Sequence, residues 1–463
     1  MTKHILSKST FMYGCQCPKR LFLHKFKPEL CNEEDEQQTA IFAAGTDAGI
    51  LARDLFKGGF DATPPNPYSY HISIAQTAEQ IANGQTVIYE AAFQYDGVMC
   101  AVDILVKEED GWHAYEVKGT NSLKPQHQDD AALQYYVLSK SGLPLNDFSV
   151  VHFNKEYVRF GAIDVQQLFK AASVKEYAVA QEQFIASKID ELKTVLANKE
   201  EPIIEPGDFC FKPYECNFTG HCRSGLTIEQ KEIPYFKPYI GDVYLLAFKD
   251  QLTYPLYYID FETVMYGVPE FDYSSPYQQI PFQFSAHIVR KPGAKPYHFA
   301  YLGNGADDPR PEFIKELIKS VSGTGSVIVY NAAFERGCLN KLAANFPEYA
   351  TELHAISNRM LDLMAPFRSK AISFHEFGGS YSLKKVLPIL APKLKYSDLD
   401  IQEGGTASFV YAQLKHQDEE TQNLQRKQLL DYCHLDTLAM VEIMKWINKI
   451  TKPYIIYSNL DDE

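Results

Sequence analysis

Several features that would place a protein quickly are missing from this sequence. No apolar run reaches the roughly 20 residues of a membrane span, which excludes a transmembrane helix. The opening stretch MTKHILSKSTFMYGCQCPKR has no apolar core of signal-peptide type, so a cytoplasmic protein is expected. Internal repeats and low-complexity tracts are absent as well, which excludes a repeat array. Basic charge is also in deficit: 45 Lys and Arg face 59 Asp and Glu, for a formal net charge of −14. A basic domain would have advertised nucleic-acid binding. Its absence does not exclude that function, because metal-dependent nucleases concentrate negative charge at the site itself. Phosphate contacts would then fall to local patches such as Lys19–Arg20, Lys384–Lys385 and Lys393 with Lys395, each of which is by default a solvated face.

A length of 463 residues with 45% hydrophobic side chains is too much for one ordinary core and suits two domains. The expected division is a first domain over 1–228, a Pro-, Tyr- and Lys-rich linker over 229–252, a second domain over 253–450 and a tail over 451–463. Helices are predicted over 17–28, 38–56 and 74–84. The strand-like runs VIYEAAFQ, VMCAVDILV and WHAYEVK follow, separated by the turn dipeptides Asp96-Gly97 and Asp110-Gly111. A helix over 127–141, strands over 148–153 and 156–161 and a long helix over 165–198 complete the first domain. The second opens with strand PLYYIDFETV and closes with a long helix over 418–448. The fold class expected for both is α/β.

Glu116 and Lys118 are two apart on a strand and share a face. A hairpin would bring Asp103 to them. Two carboxylates and a lysine at one spot can hold a divalent metal through oxygen ligands and orient a water against a phosphodiester. With Gln134 and Tyr135 on the following helix, this constellation resembles the PD-(D/E)xK nucleases of the RecB type, a restriction-endonuclease-like fold. That resemblance implies a metal-dependent nuclease using Asp103, Glu116, Lys118 and Gln134, with Glu90 a possible further carboxylate. Two departures stand out: Ala52 occupies the helix position where many relatives have a catalytic His, and Gln134-Tyr135-Tyr136 replaces the usual Gln-x-x-x-Tyr.

Nine cysteines are present. Cys31, Cys100, Cys338 and Cys433 sit singly among apolar or helical residues and read as core. CFKPYECNFTGHC spaces Cys210, Cys216 and Cys222 by five residues, and Cys17 opens CPKRLFL. Four thiolates from the two ends of a domain can hold a [4Fe–4S] cluster or a Zn²⁺ ion. The arrangement is similar to the iron–sulfur RecB-type nucleases, including the CRISPR adaptation exonucleases and the AddB subunit. It implies a cluster on Cys17, Cys210, Cys216 and Cys222.

The second half holds another carboxylate set. YYIDFET places Asp260 and Glu262 on one face of a buried-looking strand, where two carboxylates need neutralising. VIVYNAAFERG supplies Glu335 at a strand–helix junction, and DYCHLDTLAM puts Tyr432 and Asp436 one helical turn apart. In order and spacing these segments resemble the DnaQ-like exonucleases of the DEDD superfamily, with an RNase H-like fold. The resemblance implies a Mg²⁺ or Mn²⁺ pair on Asp260, Glu262, Glu335 and Asp436. Tyr432 would orient the attacking water, with His434 a bystander and Asp362 structural. Glu335 stands where most members have Asp. The fused order looks like an uncharacterised bacterial family of unknown function. The reading is a two-headed, metal-dependent nuclease acting on DNA ends or single strands, with an RNA 3′→5′ exonuclease and a zinc-stapled nucleic-acid-binding scaffold as rivals.

Overall fold

A computed structural model describes residues 5–32, 47–224 and 239–458, apart from the side chains of Asp242 and 452–458. The first part of the helix predicted over 38–56 and the start of the predicted linker lie outside these residues. The chain forms two compact units: 1–228 with 266–277, and 229–265 with 278–463. Both are mixed α/β.

The first unit is built on a seven-stranded sheet ordered β2-β3-β4-β5-β6-β7, with β1 added beside β4. The strands are β1 Leu6–Ser7, β2 Phe60–Asp61, β3 Val87–Tyr95, β4 Val98–Glu108, β5 Gly111–Lys118, β6 Leu145–Phe153 and β7 Phe169–Ser173. β3, β4 and β5 form an antiparallel meander through the two Asp-Gly turns, where Gly97 and Gly111 take positive φ. β6 returns parallel to β5, which requires a crossover; helix Pro125–Lys140 supplies it. Ten of its sixteen residues are buried, so it is a core helix rather than a half-wet one. The helix predicted over 165–198 is broken: Val165–Leu168, Lys175–Ala180 and Glu182–Asn198 are helical, and Phe169–Ser173 is strand β7. Phe169 stacks on Phe153, and the segment pairs with β6, so sheet-edge pairing overrides helical propensity. The predicted strand over 156–161 does not form.

The second unit contains β8 Tyr239–Ile240, β9 Leu256–Val264, β10 Ile280–Val289, β11 Tyr297–Leu302, β12 Val327–Val329, β13 Met360–Asp362 and β14 Ile372–Ser373. Five of them make a sheet ordered β11-β10-β9-β12-β13. The first three strands are antiparallel; β12 and β13 join parallel. β9 alternates strictly. Tyr257, Ile259 and Phe261 pack into one core with helices Arg310–Ser320 and Ala332–Asn345. Tyr258 faces the opposite core, which includes Met440, Met444 and Ile447 of helix Glu419–Ser458. Asp260 and Glu262 share the face of Tyr258.

Three boundaries differ from the sequence reading. Residues 266–277, expected inside the second domain, group with the first unit. Helix Asp242–Lys249 is part of the second unit, not a linker, because Leu245 and Phe248 are buried in its core. The last helix runs to Ser458, well into the predicted tail. Thr451 is fully buried there and accepts a 2.7 Å hydrogen bond from Lys249 Nζ.

Candidate metal and active sites

In the first unit, β4 pairs Ile104 with Tyr115 of β5, which places Asp103 opposite Glu116 where the ladder ends. Asp103 Oδ2 accepts the Val117 N–H at 2.6 Å. Glu116 is buried, and its Oε1 accepts from both Lys118 Nζ at 2.7 Å and Lys8 Nζ at 2.6 Å. Lys118 also donates to Asp130 Oδ2. The strands bend at this point. Ile88 and Ala91, and opposite them Val102 and Leu105, lie in the same core although three apart, and the β3–β4 ladder skips Glu90 and Asp103. Glu90 takes a left-handed φ of 53°, a strained conformation for a non-glycine residue and one that concentrates at functional sites.

Burial, then repulsion from Glu116, pushes the Asp103 carboxyl up to about 8. Burial would also raise Glu116, but Lys118 and Lys8 outweigh it and hold the group at about 2. Burial likewise opposes the Lys118 ammonium, yet Glu116 and Asp130 raise its pKa. Burial raises Glu90, against the pull of Arg53. Gln134 is fully buried with neither amide atom paired, and it stands one helical turn beyond Asp130. Ala52 is buried against the core; its neighbour Arg53 reaches Glu90 Oε1 at 3.4 Å. Lys8 and Asp130 were missed in the sequence. Asp130 was findable, four residues before Gln134 on the same helix; nothing in the sequence signals Lys8, over a hundred residues from its partner.

The cysteines sit at the margin of the same unit. Cys17 joins helices Lys8–Gln16 and Pro18–Phe26 in extended backbone. Cys210, Cys216 and Cys222 lie on the loop and short helices that follow Asp208. All four line one cavity, together with Lys19 and Arg20. The Cys216 N–H donates to Cys210 O at 2.7 Å, and the Gln16 amide donates to the carbonyls of Phe209, Lys212 and Tyr214. Burial raises the thiols of Cys216 and Cys222.

In the second unit, register sets Asp260 against Ser285 and Glu262 against Gln283. Glu335 enters from the first turn of helix Ala332–Asn345, which follows β12 through Asn331 at φ 86°. Tyr432 and Asp436 come from helix Glu419–Ser458. Burial raises Asp260 far above the ordinary carboxylate range, reinforced by Asp436, Glu262 and Glu335. Glu262 is raised in the same way by burial and then by Asp436, with Lys384 opposing. Burial, then Asp362, pushes Glu335 up to about 8. Asp436 is pushed up to about 7 by burial, although the Tyr396 and Tyr432 hydroxyls and Lys384 favour its charged form. Tyr396 donates to Asp436 Oδ1. A Cβ on Gly404, at the start of helix Gly404–Gln413, would stand 3.6 Å from Glu262 Oε2 and 4.0 Å from the Tyr432 hydroxyl. Cys433, read as core, is fully buried with its Sγ 3.8 Å from Asp260 Oδ2. Asp362 accepts from the Asn331 and Met364 N–H groups and pairs with Arg368, a structural arrangement. Tyr396 and Gly404 were missed in the sequence, since each lies in a segment with no motif of its own.

Two comparisons with known proteins bear on the second half and on an undefined part of the chain. Residues 257–382 match the family described as "Domain of unknown function (DUF2779)"; this span contains Asp260, Glu262 and Glu335 but ends before Tyr432 and Asp436. The chain is also 27% identical over 218 residues to "Uncharacterized protein UU173" of Ureaplasma parvum serovar 3 (strain ATCC 700970), a match covering 42% of this chain and 31% of that relative. The chain thus spans about a third of the length of that relative.

Proposed function

We propose that this chain is a divalent-metal-dependent nuclease with two active centres. Its first unit is read as a PD-(D/E)xK core and its second as an RNase H-like, DnaQ-type exonuclease. The substrate is DNA, attacked at ends or in single strands. The observation that carries the reading is the quartet Asp260, Glu262, Glu335 and Asp436. Four carboxylates buried together repel one another, and the one positive charge of Lys384, which acts on Glu262 and Asp436, is too little to balance them.

The donors fit divalent ions. Glu335 Oε2 in the second unit is buried with no hydrogen-bond partner, as are Glu116 Oε2 and Asp130 Oδ1 in the first, so each centre offers free carboxylate oxygens of the kind Mg²⁺ and Mn²⁺ bind. Asp260, Glu262, Glu335 and Asp436 would hold a pair of ions, and Asp103 with Glu116 would hold one. When bound, such ions lower the pKa of water and neutralise charge on the phosphodiester. The remaining work falls to the protein. The Tyr432 hydroxyl, close to Glu262 and bonded to Asp436, orients the attacking water. Lys118 steadies the charge that develops on the phosphate oxygens, and Lys8 keeps Glu116 ionised. The four thiols that line one cavity are the donor type of a [4Fe–4S] cluster or zinc, which would fasten the N-terminal helices to the segment after Asp208 without entering a reaction step.

Separate variants of the two centres test the proposal. Asp260→Ala is expected to remove 3′→5′ digestion of end-labelled DNA and leave the other cleavage. Lys118→Ala is expected to do the reverse. The assignment fails if both variants retain the full wild-type product pattern. Parallel RNA substrates separate the DNA reading from an RNA exonuclease.

A further inference from the structure

A cluster of three histidines stands outside both centres. His287 on β10 and His298 on β11 are direct cross-strand partners, so they share the sheet face that carries Asp260 and Glu262. Helix Glu419–Ser458 brings His434 onto the same place. The three rings lie 4.6, 4.7 and 4.3 Å apart between centroids. One nitrogen from each lies within 4.8 Å of the others. His287 is buried and the other two are half-buried, so part of the trio is in contact with solvent.

The hydrogen bonds around the rings decide what the nitrogens can do. His287 Nδ1 meets Thr437 Oγ1 at 2.8 Å, and His298 Nε2 meets Ser285 Oγ at 3.0 Å. The two hydroxyls meet each other at 2.6 Å, and Thr437 Oγ1 lies 3.2 Å from the His434 carbonyl. One assignment of protons satisfies the whole chain. His298 donates to Ser285, Ser285 donates to Thr437, His287 also donates to Thr437, and Thr437 donates to the His434 carbonyl. The rings of His287 and His298 then each give their N–H to a hydroxyl, which leaves Nε2 of His287 and Nδ1 of His298 with a lone pair. Ligating histidines are held in this way, with the second N–H given to a protein acceptor that fixes tautomer and orientation. No carboxylate belongs to the trio, so the donor set is three neutral imidazoles, which favours borderline transition ions over Mg²⁺ or Ca²⁺. Tetrahedral Zn²⁺ with bonds near 2.05 Å needs nitrogens about 3.4 Å apart, so binding would draw the rings inward from a spacing of up to 4.8 Å.

We propose that His287, His298 and His434 form a binding site for a borderline divalent transition ion, zinc foremost, with the fourth position open to water or a small ligand. The ion would pin the β10–β11 hairpin to the long helix two residues before Asp436. The site does not depend on the nuclease reading.

Full-length protein freed of metal and loaded with Co²⁺ provides the test. Tetrahedral imidazole coordination gives visible absorption without the sulfur-to-cobalt charge-transfer band that a cysteine site would add. Thiol-site absorption is common to all variants, so the readout is the difference between wild type and His298→Gln, a half-buried position on the edge strand. The expected result is loss of one bound Co²⁺ or Zn²⁺ per chain in His298→Gln and in His434→Gln, with the cysteine-type band unchanged. Equal metal content and identical spectra in wild type and variants would overturn the proposal. Should both variants fail to fold, diethylpyrocarbonate labelling of wild type decides. Zn²⁺ is expected to protect His298 and His434 at least tenfold, and undiminished labelling would refute the site.

Discussion

Glu335 offers a quantitative test of the metal reading, through stability rather than turnover. Its carboxyl is raised from 4.5 to about 8, chiefly by burial. At 1.36 kcal/mol per pKa unit this corresponds to on the order of 5 kcal/mol, an upper bound because a charged carboxylate draws in water. The sign follows from linkage. Between the unfolded and folded pKa values the folded state binds more protons, so folding stability falls as pH rises. The loss begins above about 4.5 and is complete above about 8. Divalent ions replace the missing protons: at a hundred times Kd they return about 2.7 kcal/mol. Glu335→Gln imitates the protonated carboxyl and removes the share of both effects that belongs to Glu335. The two tryptophans permit a clean assay. Trp112 lies in β5 of the first unit, and Trp446 packs near Phe374 in the second. In a Trp112→Phe background, urea unfolding followed by Trp446 reports the second unit alone. With EDTA, wild type should lose a few kcal/mol between pH 5.5 and 9 while Glu335→Gln loses clearly less. At pH 9 the variant should then be the more stable protein, and Mg²⁺ should reverse that order. A wild-type transition that ignores both pH and Mg²⁺ would refute the reasoning.

Two other outcomes follow from the geometry. Protein purified without oxygen should be brown if the Cys17, Cys210, Cys216 and Cys222 cavity holds iron–sulfur and colourless if it holds zinc; in either case Cys216→Ser should lose the bound metal and cost the first unit roughly 3 kcal/mol or more in urea unfolding, as expected when a buried structural ligand is removed. Gly404→Leu should place a side chain between Glu262 and Tyr432 and reduce 3′→5′ digestion at least tenfold, while thermal unfolding shifts by only a few degrees; full activity would show that this space is not used by substrate.

The parts of both sites that the sequence displays are those encoded by short periodicities. Glu116 and Lys118, Asp260 and Glu262, and Tyr432 and Asp436 are spaced by strand or helix repeats, and each pair shares a face in the structure. The Asp-Gly turns likewise announced the meander that sets Asp103 against Glu116. Contacts between distant segments left no such trace. Lys8 reaches Glu116 across the sheet, Tyr396 reaches Asp436 from a 3₁₀ turn, and the β3–β4 bend at Glu90 appears only in the backbone. Phe169–Ser173 falls within a predicted helix because local propensity says nothing about an available sheet edge. His434 reads as a bystander in the sequence because Tyr432 has the spacing to Asp436; His287 and His298 lie well over a hundred residues earlier, and only the β10–β11 register brings the three together.

The central claim is that the buried carboxylates of this chain serve metal-dependent phosphodiester hydrolysis. The most direct measurement incubates wild-type protein with 5′-labelled and 3′-labelled single- and double-stranded DNA and RNA, in Mn²⁺, Mg²⁺ or EDTA. The account predicts digestion of DNA with divalent ions and none with EDTA, the 3′ label being released first by the second unit. Intact DNA and RNA under every metal condition would contradict it.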